Sequence, residues 1–290
     1  MIAQQLANSL ALGGVYALMA LGYSLIFGVL RLIHFSYGDV MVMGGYIALT
    51  LLAGFSHSFG LMLAAMVVFT TLLGIFVERV NFRPLRNLPY MTSLVASLGM
   101  SLVIENAILL LWGPARKLFA VAAPISTLSV GGIQLSGSRV LSVFVCVVAM
   151  VVLDILLRRT RLGMAIRATI LDHDAATLMG INREFIIVST FAVGSALSGV
   201  AMLLLGSMYG VIYPLEGYVI GTMVFAAALI GGLGSIAGAV IGGLIIGFTQ
   251  TLSAAYISVT YSNAITMALL VLVLIIKPDG ILGKREEENI

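Results

Sequence analysis

The residues of this chain whose chemistry most needs explaining are its carboxylates within apolar sequence. Most of the 12 acids fall in polar intervals: Glu78, Asp154, Asp172, Asp174, Glu184, Asp279 and the 286–288 tail. Three do not. Asp39 opens an apolar run, Glu216 precedes another, and Glu105 lies well inside a third. A carboxylate at membrane depth is costly, so it usually faces a bundle interior or water. Asn106 follows Glu105 and sets a second polar group on a neighbouring face. Glu105 reads either as a helix-to-helix hydrogen bond, with the acid protonated, or as a group on a solute pathway. One acid at mid-span is a poor proton relay, which weighs against an ion-coupled secondary carrier. The other polar insertion is HFSYGD, residues 34–39. It sets His34, Tyr37, Gly38 and Asp39 between two apolar runs. Gly38 permits a sharp turn, after which Asp39 can cap the following helix. An interfacial turn with a cap and a substrate-facing helix break fit this segment equally well.

Signals for catalysis are missing. There is no GxxxxGKS/T phosphate loop, and GILGKR near the end lacks its spacing. His34, His57 and His173 lie in separate segments, and no His/Cys cluster has metal-ligand spacing. No GxSxG or HExxH occurs. The chain is therefore expected to be no enzyme and to hold no metal or cofactor. If it pumps a solute, the energy comes from a partner. The lone Cys146 sits in an apolar run and cannot form an internal disulfide. The net charge of +3 comes without a basic patch interleaved with aromatics, so it is no nucleic-acid signal.

Residues 160–185 form the long polar interval of the second half and carry Arg161, Arg167 and Arg183. Asp172 suits a helix N-cap, Asp174 complements the positive end of the helix dipole, and Gly180 suits the C′ position. The helix between them is about seven residues, or roughly 10 Å, long. Ala175, Ala176, Leu178 and Met179 give it a small apolar face. So short a helix is marginal alone in water. It rests on the membrane interface or the bundle, or it docks in a groove on a partner protein.

The elements that position these groups are membrane spans. Hydrophobic residues make up 61% of the 290 positions and charged residues 9%, against about 25% charged in soluble domains. A bilayer core of about 30 Å needs roughly 20 apolar residues per helix. Candidate spans cover 8–30, 38–55, 60–77, 92–112, 138–157, 186–206, 217–233, 236–255 and 261–276. The first is long enough to remain as a span instead of being cleaved as a signal peptide. If these spans alternate, all but Arg116, Lys117 and Arg139 of the 15 basic residues fall on one side. The positive-inside rule makes that side cytoplasmic, with the C-terminus inside and the N-terminus outside. A re-entrant element at 30–38 would reverse the N-terminus. The expected fold is all-α: a polytopic transmembrane helical bundle of about 8–10 spans. It forms a single domain over 1–290, with a docking loop at 158–185. Residues 113–138 read as a folded outer loop with a small hairpin. Gly231, Gly232, Gly234, Gly238, Gly242, Gly243 and Gly247 crowd the seventh and eighth spans. They serve either close helix packing or a flexible wall beside a pathway. GDVMVMGGYIA and GTMVFAAALIGG each follow an aromatic-containing break, a weak sign of an internal repeat.

Six segments in one order resemble the LivH-type permease subunits of branched-chain amino acid ABC importers. They are SLALGGVYALMALGYSLIFGVLRLIHFSYGD, ERVNFRPLR, SLGMSLVIEN, RLGMAIRAT with AATLMGIN, the glycine-rich 206–247 and KPDGILG. The resemblance implies an inner-membrane, channel-forming subunit. It would pair with a second, homologous permease and two cytoplasmic ATPases that use ATP, and receive substrate from a periplasmic binding protein. It identifies 161–182 as the ATPase-contacting loop, with Arg161, Gly163, Arg167, Ala168, Asp172, Ala175, Ala176, Gly180 and Asn182 as coupling residues. The segment 172–180 would be the coupling helix. His34, Tyr37, Gly38, Asp39, Glu105 and Asn106 are the candidates for the substrate pathway. The chain departs from the family's usual pattern at 34–39, where Asn-Phe-Ala-His-Gly-Glu is common, and at Leu171, where an acid is frequent. Related permeases carry urea, short amides or other amino acids.

Overall fold

The computed structural model describes residues 2–52, 58–86, 88–119, 121, 128–130 and 133–283. His57, Pro124 and the 284–290 tail lie outside the described residues. Among the described residues, six helices are long and apolar enough to cross a membrane, and three shorter apolar helices accompany them. Together they coincide with the apolar runs read above. The long ones are α1 (Ile2–Leu30), α3 (Phe59–Val77), α5 (Tyr90–Trp112), α6 (Gly137–Arg159), α9 (Arg183–Tyr209) and α11 (Ile236–Tyr256). The short ones are α2 (Tyr37–Leu52), α10 (Glu216–Gly231) and α12 (Ser262–Ile276). A π turn, Glu78–Phe82, and a short α4 (Arg83–Leu85) prolong α3. The polar interval folds as α7 (Arg161–Leu171) and α8 (His173–Leu178).

Helix α1 is the axis of the bundle. Its sequence is apolar on all sides, and it packs against α11, α9, α6 and α10. Lipid tails give helices no hydrophobic reason to associate, so close backbone packing has to supply the attraction. A Cβ on Gly243 would overlap the Ala17 backbone, and one on Gly247 would overlap Gly13. Gly231 and Gly238 close α10 on α11 in the same way, as does Gly242 against Ala227. Packing is thus the structural role of this glycine cluster. Gly232, at φ 104°, ends α10, and Ser235 starts α11 by accepting from the Gly238 N–H at 3.1 Å.

Contacts sort the helix ends into two groups. At one end Gly28 faces Ile170 and Gly234, Arg86 pairs with Glu184, and the Ile281 N–H donates to the Ile230 carbonyl. At the other, the Tyr46 hydroxyl donates to the Ile212 carbonyl, Tyr46 packs on Trp112, and Arg139 donates to Asn8. Successive apolar helices therefore alternate in direction, and α1 and α2 form a true reversal that does not flip the N-terminus. Arg31, Arg79, Arg83, Arg86, Arg158, Arg159, Arg161, Arg167, Arg183 and Lys277 share the first end, hereafter the basic end. At the opposite end β1 (Lys117–Leu118) pairs with β4 (Val211–Ile212). The expected hairpin is β2 (Leu128–Val130) on β3 (Ile133–Leu135), with Leu128 opposite Leu135.

Candidate functional site

The break at 31–36 starts exposed at Arg31 and is recessed into the bundle from His34 onward. His34 is 2% exposed and Asp39 is fully buried. The His34 N–H donates to the Tyr23 hydroxyl at 3.2 Å, and the Phe35 N–H donates to Ser97 Oγ at 2.7 Å. Chain that leaves a helix inside a membrane must find such partners, because no water is there to satisfy it. The His34 ring packs among Phe82, Phe191 and Tyr37, with centroids 5.0–5.9 Å away. The Tyr37 hydroxyl donates to the Gly194 carbonyl at 3.0 Å, in space that a side chain at Gly22 would fill.

Helix α2 begins at Tyr37, which places Asp39 in its first turn and not at the cap position. There a carboxylate meets the positive end of the helix dipole. Its Oδ2 accepts a hydrogen bond from Ser101 on α5, and its Oδ1 has no hydrogen-bond partner among the described residues. His34 Nε2, Ser24 Oγ and Ser195 Oγ are likewise buried without partners there. Opposite stands the start of α10. A Cβ on Gly38 would overlap the Gly217 carbonyl and crowd the Gly221 N–H, and one on Gly217 would collide with Asp39. Two short helices that follow breaks thus meet glycine to glycine inside the bundle.

Of the pathway candidates, the structure gathers His34, Tyr37, Gly38 and Asp39. Glu105 is half-buried at their edge, within electrostatic reach of Asp39. Asn106 stands apart: it is exposed on the outer face of α5 and donates to its own helix at Leu102 O. Sequence reading missed Ser93, Ser97 and Ser101. With Glu105 they recur every four residues, which places them on one helix face, and the three serines are buried.

The second candidate surface is at the basic end. Thr160 caps α7 by accepting from the Gly163 N–H at 3.0 Å, and a Cβ on Gly163 would strike the carbonyls that end α6. Asp172 caps α8 through the Asp174 and Ala175 N–H groups. Gly180 has φ 84°, and the Gly180 and Ile181 N–H groups return to the Thr177 and Ala176 carbonyls. That left-handed C-terminal closure favours glycine. Helix α8 has six residues, one fewer than expected. Ala176 is only 6% exposed and faces the bundle, so it does not contribute to the outward face. Leu178, at 88%, and Met179, at 84%, do, and Leu171 is exposed at the end of α7. Arg161, Arg167 and Ala175 are exposed and Ala168 half-buried, while Asn182 caps α9 through the Phe185 N–H. An ion network not read from the sequence braces this end. Glu78 is buried against Arg86, which reaches Glu184 at 2.6 Å, and Arg83 meets Glu184 at 3.1 Å.

Residues 5–276 match the family model described as "Branched-chain amino acid transport system / permease component". The chain belongs to this permease family. It is 38% identical to BraD of Pseudomonas aeruginosa, described as a high-affinity branched-chain amino acid transport system permease protein, over 99% of this chain and 97% of that one. LivH of Escherichia coli, described in the same words, is 37% identical over the same shares. LivH of Salmonella typhimurium is 36% identical, again over 99% and 97%. Among solved structures, a chain of "PsaBC from Streptococcus pneumoniae in complex with Fab" has a similar fold. Its TM-score is 0.53 at 12% identity, covering 96% of this chain and 97% of that one. The permease is thus a multi-pass membrane protein, a helical bundle whose family serves transport. Its geometry offers a sealed polar break in the bundle and an apolar tip at one end.

Proposed function

We propose that this permease is a subunit of an ABC importer that moves branched-chain amino acids across the bacterial inner membrane. It pairs with a second, homologous permease and two cytoplasmic ATPases, and a periplasmic protein delivers the substrate. ATP is used by the partners, and no cofactor is assigned to this chain. The observation that carries the reading is the nearly end-to-end similarity to permeases described as branched-chain amino acid transporters. The apolar tip of Leu171, Leu178 and Met179 supports it. Large apolar side chains exposed at the end of a capped helix and of the helix before it suit a groove in a partner. The basic end is then cytoplasmic, and closure of the ATPases pushes α8 and shifts the bundle between two populated states. Opening the Gly38–Gly217 contact would unseal the break.

The test is uptake in proteoliposomes. The chain reconstituted with its partners should accumulate leucine only with ATP and the binding protein. The chain alone should accumulate nothing. Accumulation by the chain alone under an ion gradient would overturn the reading in favour of a secondary carrier. Competition by urea or acetamide but not by leucine would move the substrate to short amides.

A further inference from the structure

At the end opposite α8, a cavity of about 170 Å³ opens between α1, α9, α10, α11 and α12. A dry cavity of about 150 Å³ accepts a six-carbon ring, so the space suits a six-carbon amino acid. It continues into a wider vestibule of about 560 Å³ through shared walls at Tyr209, Gln250 and Asn263. Its apolar side is Met202, Leu205 and Ile220. Its one acid is Glu216, the first residue of α10.

Glu216 is half-buried and makes no ion pair among the described residues. Arg116 is within its electrostatic reach but stacks over Tyr213, 5.6 Å from the ring centroid. Tyr16 and Tyr209 line the same cavity as Glu216. A carboxylate among tyrosine rings suits a primary ammonium, which gains both an ion pair and contact with ring faces. Across the cavity the Gln250 amide donates to Asn263 Oδ1 at 2.8 Å, which orients the Asn263 NH₂ as a donor. Arg139 lies in the vestibule wall, 2.7 Å from Asn8 Oδ1. A carboxylate there would meet the Asn263 and Arg139 donors, and Gln250 Oε1, buried without a partner among the described residues, offers an ammonium an acceptor besides Glu216. The floor lies one residue from the seal, since Gly217 follows Glu216 and rests on Gly38 and Asp39.

We propose that this cavity is the permease's own amino-acid site, with Glu216 taking the ammonium, Asn263 the carboxylate and the Met202–Leu205–Ile220 wall the branched side chain. This rests on the importer reading, which places the cavity on the outer face, where the binding protein releases its substrate.

The assembled importer decides it. Val219 lines the cavity and is partly exposed. Val219→Cys in a Cys146→Ala background is labelled with a water-soluble thiol reagent, without the binding protein. The probes are leucine, 4-methylpentanoate (no ammonium) and isoamylamine (no carboxylate). Leucine should slow labelling, and each truncated probe should need at least a roughly tenfold higher concentration, the loss expected for one charged hydrogen bond. Glu216→Gln in the same background should weaken leucine protection by about the same factor, with co-purification of the partner subunits as the folding control. If that variant fails to assemble, the three probes on the Glu216-containing protein decide alone. No protection by saturating leucine, or equal protection by 4-methylpentanoate, overturns the site while leaving the importer reading intact. Absence of ATP-driven leucine uptake in the Val219 parent overturns the importer reading, and the site falls with it.

Discussion

Replacing Arg86 with Ala should destabilise the permease far more than replacing Glu184, although both belong to one ion network. Glu78 is fully buried and Arg86 is 8% exposed, whereas Glu184 is 48% exposed. Removing Arg86 strands a buried carboxylate, which costs about 3–5 kcal/mol. Removing Glu184 deletes pairs that water already screens, worth about 0–1 kcal/mol. At about 2 °C per kcal/mol for a chain of this size, the first change should lower Tm by roughly 6–10 °C and the second by under about 2 °C. Thermal unfolding of the detergent-purified chain, followed by circular dichroism, measures both. The double variant Glu78→Leu with Arg86→Met should recover most of the loss, because apolar packing replaces a buried pair at little net cost. Equal shifts for Arg86→Ala and Glu184→Ala, or a double variant as unstable as Arg86→Ala, would refute the argument.

At the other candidate sites, Leu178→Asp with Met179→Asp should lower substrate-stimulated ATP hydrolysis and uptake without changing Tm, whereas Ala176→Arg should lower Tm by forcing a charge into buried space; loss of Tm in the first or none in the second sinks the assignment of faces. Gly180→Val should cost about 1–2 kcal/mol at a left-handed position and weaken coupling as well; unchanged Tm and uptake would show that the α8 closure is dispensable. Gly38→Val should abolish uptake while leaving partner assembly intact, because any side chain there meets the Gly217 carbonyl; normal transport would remove the seal from the mechanism. His173 is held below the usual histidine pKa by burial and by Arg183. The folded state therefore binds this proton later than the unfolded chain does, and stability falls as pH drops through about 6.5. Tm measured from pH 8 to 5 should fall more steeply for the parent than for His173→Gln, and parallel curves would remove His173 from the pH response.

The spans were legible because their signal is local. Apolar length sets what can cross a bilayer, and the arginine bias at alternate ends orients what crosses. The closed ends of α8 were legible for the same reason: Asp172 and Gly180 act on backbone groups within a few residues of themselves. Facing is a different matter. Ala176 and Leu178 are both apolar, and which one points outward depends on where α7 and the bundle sit. Asn106 and Glu105 are adjacent in sequence, yet they occupy different surroundings. The serine stripe on α5 could have been found from its four-residue spacing, although only the packing of α4, the 31–36 break and α2 against it explains the three serines.

Residue types and their local order thus determined the number of apolar helices, their directions, the breaks before α2 and α10, and α8 at the basic end, but not α7. Tertiary structure alone decided which groups meet. Gly38 and Gly217 are far apart in the chain, as are Glu78 and Glu184, and as are Glu216, Gln250 and Asn263. A uniformly apolar helix carries no amphipathic stripe to fix its rotation. Small residues, side-chain hydrogen bonds and close backbone contact fix it instead, and those interactions exist only once the partner helix is in place.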